Sequence, residues 1–228
     1  AEACGEFVLG TMRDGNGSLL RAYKDGRAHL NAYLEDHAFM VEALLALYEA
    51  SFDRRWFAAT RELAVRMIDR FGDSERGGFF STSADHETLI ARRKEVGDHP
   101  IPAGQSAAAL GLLRLAALSG ERTFADRALG VFALFGETAV AHPDSFAHLL
   151  RALDFHHARP REVALVGGDL GELATVVRSA FRPDIVVAGG PAGAVEPPLL
   201  DARTEIGGEP AAYVCEDFTC NLPVTDPE

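Results

Sequence analysis

Cysteine is scarce: Cys4, Cys215 and Cys220 are the whole complement of 228 residues. An odd, low count in a chain of this length argues against a disulfide framework and suits a reducing compartment. Four residues separate Cys215 from Cys220, whereas a thioredoxin-type centre needs two intervening residues near a helix start. Zinc asks for four ligands, and no second pair lies nearby. Two reduced thiols are the default for this pair, with a disulfide or a metal role in a longer protein left open. No metal and no cofactor is expected. Long apolar runs are also missing. No stretch approaches the ~18 residues that a transmembrane helix needs, and the opening AEACGEFVLG has neither the basic start nor the apolar core of a signal peptide. Positive charge is in deficit, 22 Lys and Arg against 34 Asp and Glu, for a net charge of −12. Polyanions would be repelled apart from a local basic patch, so nucleic acid is not an expected partner. These absences fit a soluble, cytoplasmic protein that does not engage membranes. An initiator methionine is lacking too, and the chain starts on what reads as the last turns of a helix. The expectation is a piece excised from a longer protein, whose cut helices leave apolar flanks that favour self-association.

Hydrophobic residues make up 47% and charged residues 25%, ordinary values for a globular domain. The length allows one large domain, or one domain and an appendage. Residues Ala1 to Leu9 can be helical. Arg13 to Gly17 read RDGNG, which is turn chemistry, and the residues around Leu19–Tyr23 and Lys24–Gly26 suggest short extended pieces or a hairpin. Asp14, Asn16 and Ser18 invite comparison with a calcium loop, but the positions that need glycine and a bidentate glutamate hold Leu19 and Asp25. A plain turn is the better reading.

Two amphipathic helices follow. Phe39, Met40, Ala43, Leu44, Leu47 and Tyr48 form one stripe, with Asp36 as the expected N-cap. Trp56, Phe57, Leu63, Met67 and Ile68 form the buried side of a second helix from about Arg54 to Phe71. The short break between them predicts an antiparallel αα-hairpin. The pattern then repeats. Ala43–Leu47 corresponds to Gly111–Leu115, and Asp53–Trp56 to Glu121–Phe124, both at an offset of 68 residues. A second hairpin is therefore expected from about Gln105 to Phe135, turning at Ser119-Gly120, and a further helix from Ser145 to His157. Repeats of this kind signal stacked supersecondary units.

Between the two hairpins lies Asp73 to Ser106, long for an internal connection and of the kind that often carries function. Gly77–Thr82 favours a strand, Ala84–Glu87 a turn, and Leu89–Lys94 the returning strand. A β-hairpin insert across one end of the helical stack is the expectation. Pro100 and Pro102 keep the lead-in to the next helix extended. The tail changes character: Glu162–Val166 and Asp184–Ala188 read as strands around a helix from Leu170 to Phe181, a βαβ unit with parallel pairing, and Ala211–Cys215 reads as a third strand. Gly167-Gly168-Asp169-Leu170-Gly171 sits where dinucleotide folds bind phosphate. Its spacing is not the glycine fingerprint, and a tight βα turn is the default. Two units follow, a helical-hairpin domain over 1–158 and a small α/β subdomain over 159–228.

An ordered set of residues carries a family resemblance: Tyr33–Phe39, Gly77–Phe80, Arg92–Glu95 and the closing Cys215–Pro223. Together they resemble the C-terminal part of the thioredoxin-domain-containing spermatogenesis-associated protein 20 family. The resemblance implies a mainly α fold, in which αα-hairpin repeats form part of an (α/α)6 toroid similar to six-hairpin glycosidases and N-acylglucosamine 2-epimerases. The β-hairpin insert and the C-terminal βαβ subdomain are additions to it. It also implies an N-terminal thioredoxin-like domain outside this chain as a partner. The chain departs from the family pattern at four of the nine positions from Asp98 to Ser106, and has His37 where tyrosine is usual. A sugar-active toroid would use carboxylates or histidines around a central pocket. Asp36, Asp98 and Glu35 are the acidic candidates, and His37 and His99 the imidazole candidates. Tyr33, Phe79, Phe80, Arg92, Lys94 and Gln105 are the candidates for holding a sugar-like ligand. Each has a structural counterpart: a helix cap for Asp36, a turn or cap for Asp98, a satisfied structural histidine, a solvated edge strand for Arg92–Glu95. The expected function is an epimerase- or glycosidase-like module. The alternative is a non-catalytic interaction module serving the thioredoxin-like domain.

Overall fold

The computed structural model describes residues 1–85 and 91–227. Helix α1 (Glu2–Thr11) precedes a two-stranded antiparallel hairpin, β1 (Leu20–Lys24) and β2 (Arg27–Asn31). Its turn is Asp25-Gly26, with φ of 51° and 78°. Positive φ at both central residues matches the right-handed twist of the flanking strands, which is why Asp-Gly serves there. Asp14 holds the preceding turn: its Oδ1 accepts from the amides of Asn16 at 2.9 Å and Ser18 at 2.8 Å.

The first helical hairpin is α2 (Leu34–Ser51) and α3 (Arg54–Phe71), the second α4 (Gly104–Ser119) and α5 (Arg122–Ala141). Both pairs lie where the repeat predicts. The first bend is made by Phe52 at φ 57°, followed by Asp53, which caps α3 by accepting from Arg55 N at 3.0 Å. The second bend is made by Gly120 at φ 71°. α4 is the axis of the fold. Every residue in it except Arg114 and Ala116 is buried, which explains its lack of a polar face. It packs on α2, α5 and α6 (Ala147–His157). Gly111 permits the closest approach, since a Cβ there would sit 2.9 Å from Val41 Cγ1.

The C-terminal sheet has the order β4-β3-β5-β6, from β3 (Arg161–Val166), β4 (Ile185–Gly190), β5 (Ala211–Glu216) and β6 (Thr219–Cys220). β3 and β4 run parallel across α7 (Gly171–Arg178), and β5 joins β3 antiparallel. Side chains alternate between two faces, as a pleated strand requires. Ala164, Val166, Val186 and Ala188 continue the helical core. Val163, Leu165, Val187 and Ala212 form a second core beneath α7 with Leu173 and Ala174. The sheet is tied to the first hairpin by polar groups as well: Glu49 pairs with Arg114 of α4 and accepts from Val187 N at 3.1 Å, and Tyr48 Oη accepts from Gly189 N at 3.3 Å.

Four expectations change. Asp36 is not the N-cap of α2. Tyr33 is, and Asp36 sits three residues on as the reciprocal partner of a capping box, its carboxylate accepting from Tyr33 N at 2.8 Å. The expected β-hairpin insert is absent as strands among the described residues. Gly72 and Phe79 make an isolated bridge, and Ser81 N donates to Arg93 O at 2.8 Å. Residues 86–90, including His86 and Glu87 of the expected turn and the start of the return strand at Leu89, lie outside the described residues. The helix expected to reach Phe181 ends at Arg178, and Phe181 is exposed. Cys215 and Cys220, for which two thiols were the default, are joined in a disulfide; they stand opposite each other where β5 pairs with β6. A hairpin with a two-residue turn at Asp217-Phe218 sets residues five apart opposite each other. Among the described residues, no helix is long and apolar enough to cross a membrane.

Candidate functional site

The connection from α3 to α4 is held on the helical stack by its backbone. Gln105, buried in the first turn of α4, accepts from Phe79 N at 3.1 Å and donates to Phe79 O. Phe80 N donates to Phe71 O at 2.8 Å, and Leu34 N to Ser81 O at 3.0 Å. Asp73 folds the turn that follows α3, its Oδ1 accepting from Glu75 N and Arg76 N at 2.9 and 3.0 Å. The returning segment is extended enough to alternate its side chains between two clefts. Ala91, Arg93 and Glu95 line one, Arg92 and Lys94 the other.

The first cleft has a volume of about 670 Å3 and is lined by Arg21, Tyr33, Glu35, Ser81, Thr82, Arg93 and Glu95 among others. The first turns of α2 and α4 meet here: a Cβ on Gly104 would lie 3.0 Å from Glu35 N. Helix N-termini present unsatisfied amides and partial positive charge. Arg21 pairs with Glu35 and Asp36, each at 2.8 Å, and its guanidinium lies 4.6 Å from the centre of the Tyr33 ring. Among the described residues no ion pair or hydrogen bond engages the side chain of Arg93 or Glu95; the backbone N–H of Glu95 donates to Ser81 Oγ at 3.2 Å. The cleft therefore offers one preorganised ion pair, a cation and a carboxylate whose side chains have no partner among the described residues, a tyrosine and the Ser81 hydroxyl.

The second cleft, also about 670 Å3, collects Phe80, Arg92, Lys94 and Asp73. Its cations are engaged. Lys94 Nζ is 2.7 Å from Asp73 Oδ2 and donates to Gly77 O at 2.6 Å, while Arg92 donates to Thr82 O at 2.6 Å. Both lie over the Phe80 ring, at 4.1 Å for Arg92 and 5.0 Å for Lys94. The Lys94 ammonium, helped by the amides of Arg76 and Glu75, pulls the Asp73 carboxyl down to about 2.

The remaining candidates lie elsewhere. Asp98 is buried with both oxygens engaged: Oδ1 accepts from Ala103 N at 2.8 Å, and Oδ2 from His148 N and Leu149 N at 2.8 and 3.2 Å. It caps α6 from a distant part of the chain and holds the lead-in to α4. His37 is buried against Phe71, with ring centres 5.0 Å apart. Its Nδ1 lies 3.1 Å from Tyr33 O, and its Nε2 has no partner among the described residues. Burial holds its pKa below the usual imidazole value. His99 is exposed and lines neither cleft. Phe79 is buried in the core. Of the sequence candidates, Tyr33 and Glu35 meet in the first cleft, and Phe80, Arg92 and Lys94 in the second. The roles of Arg21, Arg93 and Glu95 went unseen; the period-two alternation of Ala91–Glu95 was the available signal for the latter two.

These features define a mainly α-helical protein of paired helical hairpins, carrying a small α/β layer and an open polar cleft where two helices begin. No protein-family profile matches the chain. Among curated proteins it is 31% identical over 209 residues to spermatogenesis-associated protein 20 of Homo sapiens, an alignment covering 86% of this chain and 26% of that protein. The identity and coverage are the same for the Rattus norvegicus protein of that name. An uncharacterised Caenorhabditis elegans protein, B0495.5, is 26% identical over 239 aligned positions, covering 98% of this chain and 32% of its own length. The chain is homologous to a part of spermatogenesis-associated protein 20, and spans about a quarter of the length of those curated relatives.

Proposed function

We propose that the first cleft binds a sugar-sized, polyhydroxylated ligand, and that this chain is part of an α/α-toroid protein of the sugar-active type. The observation that carries the reading is the meeting of Glu35, Glu95, Arg93 and Tyr33 at the starts of α2 and α4. Carboxylates and guanidinium groups satisfy vicinal hydroxyls, the tyrosine ring covers an apolar sugar face, and a cavity of this size takes one or two rings. A ligand with a phosphate or carboxylate would find Arg93 and the two helix N-termini. If the module acts on its ligand as epimerases or glycosidases do, Glu95, exposed and without a side-chain partner among the described residues, is the base, with Glu35 in the same cleft. The two tandem hairpins are what a segment of a closed α/α ring would look like. The thioredoxin-like domain expected from the resemblance would lie in the part of the relatives that this chain does not span.

A second reading, a non-catalytic interaction module, has its own support: Asp98, Gln105, Arg92 and Lys94 all serve the backbone, which leaves few groups for chemistry. The test is a thermal-shift and calorimetric screen with neutral sugars, N-acyl amino sugars and phosphosugars, on wild type and on Glu95→Gln and Arg93→Ala. A ligand at a hundred times its Kd adds about 2.7 kcal/mol to native stability, and both variants should lose that shift. A bound sugar that neither variant disturbs would remove the cleft from consideration. Binding without turnover in wild type would favour the second reading.

A further inference from the structure

Away from both clefts, the last hairpin of the chain builds an environment around its disulfide. β5 and β6 are joined by Asp217-Phe218, at φ 49° and 62°, so Cys215 and Cys220 face each other across a two-residue turn. The two sulfurs are unequally accessible: Cys215 is 1% exposed, whereas Cys220 is half-buried. Arg203 lies over the pair, its Nη2 at 2.9 Å from Cys220 Sγ and 3.5 Å from Cys215 Sγ. That guanidinium is poorly satisfied. It donates to the carbonyl of Asp201 at 2.9 Å and contacts that of Phe218 at 3.5 Å, its Nε is buried without a partner, and no carboxylate pairs with it among the described residues. Burial lowers its pKa, against the fields of Glu162, Tyr213 and Asp201. The buried acid Glu162, whose charge acts on Arg203, accepts from Phe218 N at 2.7 Å, and burial pushes its pKa up. Asp217 and Glu216 add negative charge around Glu162.

A disulfide sulfur is a weak acceptor, whereas a thiolate carries a full charge. Reduction would give Arg203 an anionic partner in direct contact and partly out of water, where their attraction is stronger than in bulk water. We propose that Cys215–Cys220 is a redox-active pair that exchanges with dithiol and disulfide substrates, with Cys220 as the exchanging sulfur, Arg203 as the group holding its thiolate and Cys215 as the resolving thiol. In the reducing direction, a dithiol's thiolate attacks Cys220 Sγ, the S–S bond breaks, and Cys215 leaves as a thiolate that takes up a proton. The dithiol's second sulfur then attacks the mixed disulfide and releases Cys220 as a thiolate against Arg203. Two electrons pass from the dithiol, now a disulfide, to the protein. Oxidation of the protein by a substrate disulfide is the reverse. Next to the pair, Phe218 packs on Gly120 and lines a third cleft, of about 990 Å3, with Phe155, His156 and Glu162.

The experiment uses the full chain with Cys4→Ser, since Cys4 is an exposed free thiol. Thiolate absorbance at 240 nm of the folded, reduced protein should show one thiol titrating clearly below ~8.5. Equilibration in glutathione buffers, with alkylation and mass analysis, should show Arg203→Gln favouring the disulfide about tenfold, a potential lower by ~30 mV, with Arg203→Lys retaining most of the wild-type value. Cys215→Ser should leave Cys220 forming a mixed disulfide with oxidised glutathione quickly, and Cys220→Ser should leave Cys215 slow. The proposal is overturned if both thiols titrate at or above ~8.5, if Arg203→Gln shifts the equilibrium by less than twofold, or if the two single cysteines react alike. Should Arg203→Gln not fold by circular dichroism, the wild-type titration and the single-cysteine rates decide.

Discussion

Asp98→Asn separates a structural carboxylate from a catalytic one. The side chain keeps its size and loses one acceptor oxygen and its charge. Oδ1 serves Ala103 N, and Oδ2 serves His148 N and Leu149 N. Whichever way the amide turns, its NH2 group faces one of these donors, so either the Ala103 bond or both bonds to α6 are lost. A hydrogen bond to a charged acceptor contributes about 1.5–3 kcal/mol, and a buried amide left unpaired costs a similar amount. Loss of the cap on α6 and of negative charge at its N-terminus adds about 1 kcal/mol. Shared terms keep these from adding fully, so the expected destabilisation is about 2–4 kcal/mol. For a chain of this size that lowers Tm by roughly 5–15 °C. Urea denaturation followed by far-ultraviolet circular dichroism measures it, with Asp98→Ala as the second point and at least as damaging. A value within about 0.5 kcal/mol of wild type, the range of ordinary surface changes, would refute the reasoning and return Asp98 to the candidates for chemistry.

Other perturbations follow from the same geometry. Gln105→Ala leaves the buried N–H and C=O of Phe79 without partners and should cost about 2–4 kcal/mol in denaturant unfolding, with no new pH dependence. Asp73 titrates at about 2 when folded against an ordinary 3.8, so it binds protons more readily unfolded. Its stabilising contribution is present above the unfolded value and is lost as pH falls from 3.8 towards 2. Asp73→Asn should therefore be less stable than wild type at pH 5, with the two urea midpoints drawing together at the acid end of that window; a constant gap would contradict the Lys94 pairing. Gly189→Ala would place a methyl 2.5 Å from the Phe52 ring, overpacking worth about 1–3 kcal/mol. Most of it should be recovered in the Phe52→Ala background, and a double-mutant cycle measures that coupling.

Legibility from the chain differed sharply between scaffold and site. α3 was readable from Arg54 to Phe71 because its apolar residues recur at helical spacing and Asp53 caps it locally. The second hairpin was readable because it repeats the first. β3, β4 and β5 were readable as short apolar runs beside glycine and proline. The two clefts were half readable. Tyr33 and Glu35 were named as candidates, yet their neighbours Arg93 and Glu95 were grouped with Arg92 and Lys94, which an extended backbone sends to the opposite side. Asp36 lies three residues from the N-cap expected of it, since a carboxylate serves at either position of a capping box and the two differ in which amide they meet.

The sequence alone determined what depends on neighbours within a turn or two: helical periodicity, the breaks at Phe52-Asp53 and Gly120, the Asp-Gly hairpin turn, and the acidic net charge. Tertiary structure decided whatever requires two distant segments to meet. Asp98 acts through amides about 50 residues away, Gln105 through a backbone 26 residues away, and Cys220 meets Arg203, 17 residues before it, only once a loop folds over the paired strands. A carboxylate, an amide and a thiol are each compatible with many partners. Burial and contact select one, and those are properties of the packed molecule that local spacing does not encode.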